Sequence, residues 1–64
     1  MNRKSLEYEM KKYVGGGSFI RKIDLARFMG LKDPNSCNRY LAGLESVGRG
    51  LYFIPDVCAA ILDA

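Results

Sequence analysis

Three observations predict a mainly α-helical chain with a small β-hairpin, an α+β fold. Apolar residues recur at helical spacing in four stretches. A helix-like run that ends at Gly30 is followed within four residues by Asp33-Pro34, the start signal of another helix. Gly48-Arg49-Gly50 then separates Val47 from the apolar run Leu51–Ile54, a tight turn with a returning strand. The 64 residues fit one domain, 1–64. A chain of this size buries only about 60% of its unfolded surface and has little room for an enclosed active site.

Residues 2–14 place Leu6, Met10, Tyr13 and Val14 at i, i+4, i+7 and i+8, one apolar stripe of an N-terminal helix. Glu7 stands four residues before Lys11, a supportive pair. Gly15, Gly16 and Gly17 end this helix and supply both a left-handed cap and a hinge, so it can dock or swing free. A phosphate-cradling loop is the other use of such a triplet, but the lysine that pattern requires does not follow. Ser18–Ile20 reads as a three-residue strand opening the 18–64 frame. In the next helix Ile23, Leu25, Ala26, Phe28 and Met29 crowd one broad face, Gly30 closes it, and Leu31 folds back as the apolar contact that accompanies a glycine cap.

Asp33 is the N-cap of the following helix, residues 34–46, and Pro34 takes its first position, where the missing N–H costs nothing. Cys37, Leu41 and Leu44 form its core stripe, with Tyr40 on the flank. Gly43 inside this helix costs about 1 kcal/mol against alanine, which points to close packing or is simply tolerated. After the hairpin, Pro55 starts the last helix, with Asp56 in its first turn and Val57, Cys58, Ile61 and Leu62 on its buried side.

Two short helices across a tight corner make a helix-turn-helix, and a hairpin after the second makes it winged. The expected architecture is therefore a winged helix-turn-helix with an extra N-terminal helix. No apolar run approaches the roughly 20 residues of a membrane span, and the basic start is followed by a charged amphipathic segment, so a soluble cytoplasmic protein is expected. Two cysteines without histidine make a poor zinc site. Cys37 and Cys58 fall on apolar faces and read as buried thiols, though two cysteines do not rule out a disulfide. With no histidine and no serine–base pair, catalysis, a cofactor and a small-molecule substrate are not expected.

The net charge of +3 is uneven. Residues 1–22 hold six Lys and Arg against two Glu, a net +4, and residues 23–64 hold four against five acids, a net −1. Such mild basicity suits nucleic acid and equally suits an ordinary solvated surface.

The stretch Phe19–Leu62, with its DLARFMGL first helix, polar-start second helix and YFIPDVCAAIL ending, resembles the small winged helix-turn-helix proteins of the excisionase type. These are in turn similar to the DNA-binding domain of mercury-resistance-type regulators. The resemblance covers about two-thirds of the chain. It implies a phage or mobile-element origin and sequence-specific binding of double-stranded DNA, either as a recombination directionality factor that recruits an integrase or as a small transcriptional regulator.

On the second helix the available base readers are Asn35, Ser36, Asn38 and Arg39. Arginine pairs bidentately with guanine and asparagine with adenine. Ser36 and the backbone N–H groups near Asn35 suit phosphate. Arg21, Lys22 and Lys32 flank the corner as phosphate holders, and Arg49 sits at the hairpin tip. So few cations make for weak binding by one copy, so a second copy on tandem sites or a protein partner is expected. The rival expectation is a protein–protein interaction module on the same scaffold, since the reading surface carries little charge. The four tyrosines are scattered and read as packing residues rather than a stacking platform.

Overall fold

A computed structural model describes residues 2–48 and 50–63. Their order is helix α1 (Arg3–Tyr13), strand β1 (Phe19–Arg21), helix α2 (Lys22–Met29), a 3-10 turn (Pro34–Cys37) that runs directly into helix α3 (Asn38–Leu41), strand β2 (Leu51–Phe53) and helix α4 (Ile54–Asp63). The fold is mainly helical, with a two-stranded antiparallel sheet.

Asn2 opens α1, its side-chain oxygen accepting the Ser5 N–H at 2.8 Å. Glu7 pairs with Arg3 at 3.4 Å rather than with the expected Lys11. At the other end Gly15 N–H donates to the Lys12 carbonyl and Gly16 N–H to that of Lys11, with both glycines at positive φ. This crossed pair satisfies two carbonyls that the helix leaves open. The helix is docked: Leu6 and Met10 are buried, and α1 packs chiefly on α4.

β1 and β2 pair in the register Phe19–Phe53, Ile20–Tyr52 and Arg21–Leu51. The ladder extends through the Ile54 N–H, which donates to the Ser18 carbonyl at 2.9 Å. The expected hairpin is thus reduced. β2 finds its main partner in β1, and the arm before the turn contributes a single bridge, Val47–Leu51.

In α2 only Leu25 and Ala26 are fully buried; Phe28 and Met29 are half-buried and pack against the core. Ile23, expected on the same face, is exposed. At 3.6 residues per turn it lies about 160° around the helix from Leu25. Gly30 takes a left-handed φ of 75°, its N–H donating to Arg27 and the Leu31 N–H to Ala26 at 2.8 Å. Leu31 packs on the core as expected.

The helix expected over 34–46 is much shorter and begins as a 3-10 turn. Asp33 caps it twice: its carboxylate accepts the Asn35 N–H at 2.9 Å and its carbonyl the Ser36 N–H at 2.9 Å. The second is an i to i+3 bond, the 3-10 pattern. α3 ends at Leu41, two residues before Gly43, where helix propensity is poor. No atom lies within 4 Å of where a Gly43 Cβ would sit, so that glycine marks no close approach. Leu44 still reaches the core from the turn that follows.

α4 starts one residue before Pro55. Ile54, Val57 and Cys58 are buried and Ile61 half-buried, whereas Leu62, expected inside, is exposed near the end of the helix. The core gathers Leu6, Met10, Ile20, Leu25, Ala26, Cys37, Leu41, Ile54, Val57 and Cys58. Among the described residues no charged or polar side chain is buried with it. Both cysteines are free thiols.

Candidate functional site

The corner between α2 and α3 is built by three devices that follow one another in the chain. Gly30 turns the backbone out of α2, Leu31 pins the turn to the core, and Asp33-Pro34 starts the next segment. α2 packs chiefly on the Pro34–Cys37 turn, which fixes the angle between the two helices. A polar clasp closes the open side: the Lys22 ammonium, at the start of α2, donates to Asn35 Oδ1 at 3.0 Å.

The segment 34–41 is sharply two-sided. Cys37 and Leu41 are fully or nearly fully buried, while Asn35, Ser36, Asn38 and Arg39 are all exposed. Five predicted site residues, Lys22, Asn35, Ser36, Asn38 and Arg39, are therefore carried on one surface. The Arg39 guanidinium lies 5.3 Å from the Tyr40 ring centroid, within cation–π range, which steadies a long side chain without neutralising it. Lys22 keeps its charge against a neutral amide. It also lies close enough to Cys37 to lower that thiol's pKa in part, although burial, the larger effect, raises it.

Other expectations fare differently. The backbone N–H groups of Asn35 and Ser36, expected to face phosphate, are both spent on Asp33. Arg21 is exposed, but its Nε donates to Asp24 Oδ2 at 3.0 Å, so part of its charge is compensated locally. Its pairing with Leu51 puts it on the sheet rather than on the corner. Lys32 is exposed in the corner itself. Arg49 lies outside the described residues, between Gly48 and Gly50, which both hold positive φ.

Two surface features escaped the sequence reading. Phe19 and Phe53 pair across the strands with ring centroids 5.4 Å apart, and both are exposed. Tyr13 and Phe28 meet edge to face at 5.4 Å beside Glu9 and Lys12, lining an open groove between α1 and α2. The alternation of Phe19, Ile20, Arg21 and of Leu51, Tyr52, Phe53 was the signal for the first, because alternate strand residues share a face.

Among the described residues no helix is long and apolar enough to cross a membrane. Comparison with known proteins found no matching family model, no matching curated protein and no matching solved structure.

Proposed function

We propose that the chain is a sequence-specific binder of double-stranded DNA. In this reading α2 and α3 form the helix-turn-helix and the Val47–Phe53 ribbon is its wing. The chain would act in the cytoplasm as an excisionase-like recombination directionality factor or a small transcriptional regulator. The observation that carries the reading is the exposure of Asn35, Ser36, Asn38 and Arg39 together on the segment whose other side buries Cys37 and Leu41. A helix presented in this way fits the major groove. Arg39, steadied by Tyr40, suits a guanine edge, and Asn38 suits an adenine edge, each contributing about 1–3 kcal/mol of discrimination. Lys22 and Lys32 suit the flanking phosphates, and Arg49 the backbone beside the turn. With so few cations, one copy binds weakly, and an integrase or a second copy supplies the rest.

Selection of bound duplexes from a random pool tests this. A defined motif should emerge, Arg39→Ala should weaken its gel shift, and the log–log salt slope should be about −3 to −4 for three or four neutralised phosphates. Failure to enrich any duplex would refute it. The protein-interaction reading draws on the Arg21–Asp24 pair, which removes one of the expected phosphate contacts. It predicts no heparin retention and a defined protein partner.

A further inference from the structure

The charges of α1 are sorted around its axis. Leu6 and Met10 are buried on the side that packs on α4. At 3.6 residues per turn, Tyr8 stands about 180° around the helix from the midpoint of that pair, and it is 65% exposed. Lys4 and Lys12 lie about 40° to either side of Tyr8, and Lys11 about 60° away. Lys4 and Lys12 are exposed and Lys11 is half-buried. No carboxylate of α1 falls inside that arc. Glu7 is drawn to Arg3 on the flank at 3.4 Å, and Glu9 turns toward the groove lined by Tyr13 and Phe28. The outer side of α1 is thus a row of cations with one phenol at its centre, facing away from α4.

The shape of this row selects its complement. From Lys4 to Lys12 is about 12 Å at 1.5 Å per residue. A nucleic-acid strand carries one charge per about 3.4 Å of duplex axis, so the row runs beside three or four phosphates. The apolar side of α1 is already spent on the core, so the outer side has no wedge to sink into a lipid surface. A single strand lies in a groove, whereas this surface is convex.

We propose that the outer side of α1 is a second, sequence-independent duplex-binding surface. Lys4, Lys11 and Lys12 hold the phosphate backbone, and the Tyr8 hydroxyl donates to one of its oxygens. The proposal rests on the charges of α1 and stands whether or not segment 34–41 reads bases.

Fluorescence anisotropy of a labelled duplex of arbitrary sequence, from about 50 to 200 mM salt, tests it. All proteins carry Arg39→Ala, which removes the strongest contact assigned to segment 34–41. Adding Lys4→Gln with Lys12→Gln should make the log–log salt slope shallower by about 1.8, two phosphates at about 0.9 each, with an unchanged melting temperature. Arg27→Gln, at an exposed position on α2 outside the row, should leave the slope as it was. The same shift with a duplex pool from which no motif can be selected would support the surface on α1 while removing base reading by segment 34–41. An unchanged slope in the double lysine variant overturns the proposal. So does an equal change per charge from Arg27→Gln, which would make the effect a diffuse one of net charge. Lysine-dependent binding of phosphatidylserine vesicles without binding of the duplex would also overturn it, assigning the row to a membrane surface.

Discussion

Met10→Ala tests whether α1 belongs to the folding unit. Met10 is fully buried, beside a core that includes Leu6, Val57 and Cys58. Truncating a buried methionine costs about 2–5 kcal/mol, the transfer term plus the cavity left behind. A chain of 64 residues holds about 3–10 kcal/mol in all. A mid-range loss of about 3 kcal/mol therefore removes a third of the stability or more. At about 4–8 °C per kcal/mol for a domain of this size, the midpoint should fall by about 12–24 °C. Urea titration followed by circular dichroism measures the free energy directly, with Tyr8→Ala, at a 65% exposed position of the same helix, as the control. The control should change stability by less than about 0.5 kcal/mol. If Met10→Ala were equally silent, α1 would be an appendage on its glycine hinge, and the core described above would be wrong.

Two glycines should behave oppositely in thermal melts. Gly30→Ala forces a side chain into a left-handed φ of 75° and should cost about 1–2 kcal/mol, whereas Gly43→Ala, in open space without positive φ, should be neutral or stabilise by about 0.4–1 kcal/mol. Arg39→Ala should weaken binding to a selected duplex about 5- to 150-fold while leaving the melting temperature unchanged; equal affinity would remove Arg39 from the interface. Burial, reinforced by Glu7 and partly offset by Lys11 and Arg3, pushes the Cys58 thiol up to about 11 from an ordinary 9.0. Between about pH 9 and 11 the unfolded chain gives up a proton that the folded chain keeps, so stability falls as pH rises through that window. Wild type should lose stability faster there than Cys58→Ala, and parallel curves would contradict the assignment.

Local chemistry made much of this fold legible. The Gly30 cap, the Leu31 anchor, the Asp33 N-cap and three of the four helical stretches depend on neighbours within a few residues, and each formed close to where its signal stood. What escaped was decided over longer distances. The partner of Leu51–Phe53 is a strand thirty residues earlier, and no turn signal names it. Helical spacing assigned residues 34–46 one continuous helix, but the Asp33 carbonyl drew Ser36 into a 3-10 turn. The polar side of α3 followed from the burial of Cys37 and Leu41. The Lys22–Asn35 clasp and the Arg21–Asp24 pair, which decide which charges stay available, required three dimensions.

On the duplex-binding proposal, the brevity of the segment 34–41 would limit how much sequence one chain reads. Four residues at the 3-10 rise of about 2.0 Å and four at the α rise of about 1.5 Å extend about 14 Å. At about 3.4 Å per step that length faces about four base pairs. A four-letter word recurs by chance roughly every few hundred base pairs, far too often to mark a unique locus among competing sites. Two such words at a fixed spacing recur only about once in tens of thousands, so on that proposal the address would have to be composite.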